Sequence, residues 1–223
     1  MGKYWSFFRM RLRAGLQYRA AALAGMSTQF LWGAMEILES VKTGTVSYEL
    51  LRPTDIYGMW MARSVANRFA RAALRMVPVI VVSSLLPAPY GLRLPASPAA
   101  FGLFLLSSAL MVLVVCAYSL FVYALTFYLT DPNGIMVLSV AAADLLGGAV
   151  VPLPFLPDGF RQFAALTPFG SMQNVPLRLF SGDIPLSDAP AVMGLQVFWI
   201  TVLISGGYLL TRNGLRRAVI LGG

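Results

Sequence analysis

The sequence predicts an all-α, polytopic membrane helix bundle, and three observations carry that prediction: a shortage of polar surface, a series of long apolar runs, and basic residues gathered at the ends of those runs. Of 223 residues, 58% are hydrophobic and 12% charged, with a mean hydropathy of +0.72. A soluble domain carries about 25% charged and roughly 45–50% apolar residues, so this chain lacks the polar surface to cover a water-facing body. There is no histidine, and Cys116 is the single cysteine. That excludes His-based triads, imidazole proton shuttles, the common zinc sites, thiolate clusters and an internal disulfide.

About 20 apolar residues cross a hydrocarbon core of roughly 30 Å. Runs of that kind are Arg19 to Met35, Asn67 to Leu86, Ala99 to Leu129, Ile135 to Phe155 and Ala189 to Leu210. The first is short and stops at Glu36, and the second holds Arg68, Arg71 and Arg75 in its opening turns, leaving Met76 to Leu86 uncharged. Ahead of them, Lys3 to Arg19 is a long basic stretch with no compact apolar core and cleavage site behind it. It reads as a retained amphipathic leading helix over residues 1–18, carrying Tyr4, Trp5, Phe7 and Phe8.

The net charge of +8 and pI near 10.1 raise the question of nucleic acid. Nucleic-acid binders cluster basic residues between polar segments, whereas here they flank apolar runs, so no nucleic-acid partner is predicted. Lys3, Arg9, Arg11, Arg13 and Arg19 precede the first run; Lys42, Arg52, Arg63, Arg68, Arg71 and Arg75 lie before the uncharged part of the second; Arg212, Arg216 and Arg217 follow the last. The positive-inside rule places all three groups, and both termini, in the cytoplasm. The loops Pro87 to Pro98 and Pro157 to Asp188 carry only Arg93, Arg161 and Arg178 and fit the outside.

The last four runs alternate correctly on this scheme, but the first does not. One crossing cannot join two cytoplasmic segments, so either Arg19 to Met35 is not a span or a returning span is missing. The join Trp32-Gly-Ala-Met-Glu36 favours the second option, because an apolar helix turns there into the polar run Glu36 to Lys42 without a Gly-Pro or Asn-Gly turn. The length is thus short by about one span and a loop for the topology its charges demand.

Residues 36–55 form the most informative cytoplasmic stretch. Ile37, Leu38 and Val41 fall at helical spacing before Gly44, and Tyr48 to Leu51 make a second turn stopped by Pro53. A solvated interfacial helix and a docking helix for a cytoplasmic partner both fit this pattern. Outside, Pro152, Pro154 and Pro157 are expected to break the fourth run, after which Phe160 to Leu166 and Pro176 to Phe180 are too short to span and too apolar for a free loop. Over 157–188 they suit re-entrant or interfacial helices.

Two ionisable residues lie within the runs. Asp144 is ten residues into the fourth, where a carboxylate costs roughly 2.5–3.5 kcal/mol on insertion scales, so it must face protein, water or a cation. It serves either a pathway or subunit seam, or helix packing. Arg75 sits in the cytoplasmic half of its run. The pairs Gly147-Gly148 and Gly206-Gly207 are expected to serve helix packing. Tyr118, Phe121, Tyr123, Phe127 and Tyr128 are expected to face lipid, neighbouring helices or the interface rather than a ligand.

Lys-Thr-Gly (42–44), Tyr-Glu-Leu-Leu-Arg-Pro-Thr-Asp (48–55), Tyr-Gly-Met-Trp-Met-Ala-Arg (57–63), Val-Pro-Leu-Pro-Phe-Leu-Pro (151–157), Thr-Pro-Phe (167–169) and Phe-Ser-Gly-Asp-Ile-Pro (180–185) together resemble the ABC-2 type permease family. Within it they resemble the small bacterial permeases that work with a separate ATP-binding cassette subunit. The resemblance implies a single transmembrane permease domain over 1–223 with six spans, of which five are visible here. It further implies a leading amphipathic helix, a coupling helix between spans two and three, and short outer helices between spans five and six. The element it lacks is the second span with the outer half of the first, which falls at Met35/Glu36.

What the resemblance implies of function is an exporter subunit of the bacterial inner membrane. It would pair with a copy of itself or a sister permease over two ATPase subunits, which hold ATP and magnesium. The coupling role then falls on Glu36, Glu39, Lys42, Tyr48, Glu49, Arg52 and Pro53, with Glu39, Lys42, Glu49 and Arg52 as polar contacts. The chain has no G-x-x-x-x-G-K-[ST], so neither a bound cofactor nor ATPase activity is expected of it. A secondary transporter or pore, which would show repeat symmetry or several buried ionisable groups, and a non-transporting scaffold are the alternatives.

Overall fold

The computed structural model describes residues 55–85, 97–129, 132–148, 151 and 153–217. The leading helix 1–18, the run Arg19 to Met35, the Met35/Glu36 join and residues 36–54 of the coupling segment lie outside the described residues. Those described form six α-helices and one 3-10 turn, with no strand among them. The helices are α1 (Ile56–Leu85), α2 (Pro98–Thr126), α3 (Pro132–Leu146), α4 (Asp158–Leu166), α5 (Asn174–Ser181) and α6 (Ala189–Arg217), and the 3-10 turn is Leu153–Phe155.

Local chemistry explains where these helices begin. Asp55 precedes α1, and its carboxylate accepts the Gly58 N–H at 2.8 Å, satisfying an otherwise orphaned donor. Ser97 caps α2, accepting from Ala100 N at 3.1 Å, with Pro98 in the first turn where its missing N–H costs nothing. α2 and α6 are the two described helices long and apolar enough to cross a membrane. At 29 residues each they extend about 44 Å, beyond a hydrocarbon core of roughly 30 Å.

α2 is the central helix. From Met111 to Ala124 it is almost wholly buried, whereas Phe101, Leu105 and Leu106 in its first half are exposed. α6 packs along it, with Leu203, Ile200 and Ile204 against Val114, Val115 and Tyr118 in a shared core that also takes Val140 of α3 and Val65 of α1. At the other end Tyr57 and Trp60 of α1 are buried with Leu120, Tyr123 and Met136. Trp60 stands edge-on to Tyr123 at 5.3 Å, and Tyr118 edge-on to Phe169 at 5.0 Å. The aromatics of α2 thus serve packing between helices, as their sequence pattern indicates.

Three boundaries differ from those read in sequence. The second run is part of a longer helix that starts at Ile56, so Arg63, Arg68, Arg71 and Arg75 all lie on α1 rather than partly in a loop. The reason is the Asp55 cap, which sets the start of the helix regardless of where the charges fall. The fourth run stops at Leu146, not at the prolines: Gly148 takes φ +81°, a left-handed conformation that ends the helix, and its role is termination rather than packing. α3 is therefore 15 residues, about 22 Å long. The fifth run continues through Arg212 to Arg217.

The segment 157–188 holds the two short helices α4 and α5. Thr167 closes α4 by donating to Ala164 O at 2.6 Å, and Gly182, at φ +79°, closes α5. The Phe-Ser-Gly-Asp-Ile-Pro stretch then folds back: Asp183 pairs with Arg178, and Ile184 is buried against Val175, Leu179 and Ala189. Phe180 meets Phe104 of α2 edge-on at 5.0 Å.

Candidate functional site

Among the described residues, several buried polar groups of this apolar bundle are held by hydrogen bonds and a few are not. The most completely satisfied is Gln196 of α6, with no solvent exposure. Its Oε1 accepts from Ser107 Oγ of α2 at 3.1 Å, and its Nε2 donates to Ser107 O at 3.3 Å and to Ser171 O at 2.8 Å. One side chain thereby ties both long apolar helices to the turn between α4 and α5. One turn along α6, Trp199 Nε1 donates to Leu166 O at 2.9 Å, fastening the end of α4 to the same helix. The pair of short helices α4 and α5 is joined to α6 at two points.

On the opposite part of α2, Arg68 of α1 donates from Nη2 to Ser119 Oγ at 2.7 Å, and Ser119 in turn donates to Val115 O at 2.8 Å. A guanidinium within the bundle is thus tied to α2 by a hydroxyl. Nearby, α1 and α6 approach closely. A Cβ on Gly207 would lie 2.6 Å from Tyr57 Oη, and one on Gly206 would lie 3.0 Å from the Phe121 ring, so both glycines serve packing as expected. The Tyr57 hydroxyl and that of Thr211, one turn along α6 from Gly207, are buried without hydrogen-bond partners among the described residues.

Of the residues singled out from sequence, Glu36, Glu39, Lys42, Tyr48, Glu49, Arg52 and Pro53 lie outside the described residues. Arg75 is on α1. Asp144 is on the last turn of α3, and its Oδ1 is sealed from solvent without a hydrogen bond. Gln196, Ser107, Ser171 and the Arg68–Ser119 pair were not singled out. A neutral amide in the middle of an apolar run is itself the signal that could have found Gln196, since an unpaired one is costly in lipid.

A family model described as ABC-2 family transporter protein matches residues 5–222. The chain belongs to the ABC-2 transporter family. It is the permease component of an ABC transporter: a membrane component, not itself an ATPase, of a family whose permeases work with ATP-binding subunits. No curated protein and no solved structure matches the chain. In the permease, two of the motifs that carried the resemblance have a visible structural task. Thr-Pro-Phe (167–169) caps α4 and lays Phe169 on Tyr118, and Phe-Ser-Gly-Asp-Ile-Pro (180–185) ends α5 and turns the chain into α6.

Proposed function

We propose that this permease forms the substrate pathway of an ATP-driven exporter in the bacterial inner membrane, paired with a second permease, identical or sister, over two ATPase subunits. Six crossings per permease, both termini cytoplasmic and α4–α5 at the outer surface are part of the reading. Residues 36–55 dock on the ATPase, with Glu36, Glu39, Lys42, Tyr48, Glu49, Arg52 and Pro53 at the contact; ATP and magnesium bind the partner, and this chain holds no cofactor.

The observation that carries the reading is how the docking segment joins the bundle. Its last residue, Asp55, caps α1, and the first turns of α1 are anchored by Tyr57 and Trp60, buried against α2 and α6. A push that reaches Asp55 from closing ATPases is therefore delivered to a helix seated in the core. α2 and α6 then carry it outward, where Gln196 and Trp199 pass it to the turn and helix end of the outer pair. The test is the double substitution Glu49→Ala with Arg52→Ala in the purified complex. Loss of ATPase docking and of permease-stimulated hydrolysis supports the reading; unchanged docking and stimulation sink it.

A further inference from the structure

Asp144 is the one carboxylate among the buried groups of the described helices that lack a hydrogen-bond partner, the others including the Tyr57 and Thr211 hydroxyls. Gln196, Ser107 and Ser119 are hydrogen-bonded, whereas nothing among the described residues donates to Asp144 Oδ1. The ion pairs among the described residues lie elsewhere, Arg161 with Asp158 and Arg178 with Asp183. An ionised carboxylate at such a site calls for a positive group, and the position reinforces the demand: α3 ends two residues later, and the end of a helix carries roughly half a negative charge.

The register of α3 shows from which side that group arrives. At 100° per residue Asp144 lies about 40° from Val140, which packs into the core, and about 20° from Val137, which is 67% exposed. Asp144 is thus on the seam between the buried and the open face of α3, and the residue as a whole is half-buried. Beyond it the open face is apolar, with Leu138 65% and Leu145 48% exposed. No group of three or more metal-ligating side chains occurs among the described residues. A single carboxylate beside an apolar track matches an ammonium group on an apolar body, not a metal ion.

We infer that Asp144 is the recognition point for the substrate's positive group, and that the permease carries amphipathic monocations with a protonated amine. The inference rests on the transport reading above and names the substrate class of that pathway. The test uses the permease–ATPase complex in phosphatidylcholine vesicles, with dansylcadaverine as the cationic probe and the dansyl amide of pentylamine as its neutral match. Fluorescence binding is expected to favour the cation about tenfold after correction for lipid partition, as one partly buried charge pair provides. Asp144→Asn should bring the ratio to about one, and Asp144→Glu should keep most of it.

No preference in the wild type, or a preference that survives Asp144→Asn, overturns the inference. So does an Asp144→Asn complex that loses its second permease copy on size-exclusion chromatography while Asp144→Glu keeps it, since the carboxylate then serves a subunit seam. ATP hydrolysis is read separately. If cation preference follows Asp144 but the ATPase neither docks nor is stimulated, the coupling proposal fails and this assignment of the binding residue stands.

Discussion

Replacing Gln196 with leucine keeps the side-chain volume close and removes three hydrogen bonds, to Ser107 Oγ, Ser107 O and Ser171 O. In a membrane bundle each such bond is worth on average about 0.6 kcal/mol, and up to about 1.7, because the unfolded chain in lipid also finds partners. Three give about 2 kcal/mol. Stranding the carbonyl of the fully buried Ser171 adds on the order of 1 kcal/mol or more, so Gln196→Leu should cost about 2–4 kcal/mol. The assay is reversible unfolding in mixed detergent micelles, run as a double-mutant cycle with Ser107→Ala. Because Ser107 Oγ donates to Gln196, the double variant should fall short of the summed costs by roughly 1 kcal/mol. A Gln196→Leu cost below about 0.5 kcal/mol, or strict additivity in the cycle, would refute the claim that this amide ties α2, α6 and the α4–α5 turn together.

Gly207→Ala should destabilise by about 1–3 kcal/mol, because its Cβ would meet Tyr57 Oη at 2.6 Å; adding Tyr57→Phe should recover much of that, and a loss that persists in the double variant contradicts the packing described. Thr211→Val should leave the unfolding midpoint unchanged or raise it, since the buried hydroxyl it removes has no partner, and a clear drop would point to a bond that is not there. Gly148→Ala should cost about 1 kcal/mol or more, because it forces an L side chain to φ +81° with Leu153 only 3.3 Å away; a neutral result in the same assay would mean that α3 does not end as described.

The long apolar helices were legible because their signal is bulk hydropathy, which does not depend on neighbours. α2 begins one residue before the predicted run and ends three before its close, and α6 begins at Ala189 as read. α4 and α5 were legible for the opposite reason: runs too short to span, bounded by Pro157, Pro168 and Gly182. The start of α1 was missed because hydropathy opens the run only at Asn67, after Arg63, while the deciding residue is the Asp55 cap well ahead of it. The stop of α3 was credited to prolines because Gly147-Gly148 resembles a packing pair; only the left-handed φ of Gly148 separates the two uses.

The candidate site divides along the same line. Asp144 was visible as the acidic residue deep in an apolar run, a statement about composition. That its Oδ1 lacks a partner depends on what α3 faces, and sequence does not carry that. Gln196 is the converse case. Its partner Ser107 is 89 residues away in sequence, and the pairing exists only because α2 and α6 lie side by side.

The claim that the chain works as the membrane half of an ATP-driven pair is tested most directly by native mass spectrometry of the permease purified gently from its own membrane. Two permease subunits with two ATP-binding cassette subunits is the predicted composition, and it should be lost when Glu49 and Arg52 are both replaced by alanine. A permease that transports substrate in vesicles while carrying no ATPase subunit would contradict it.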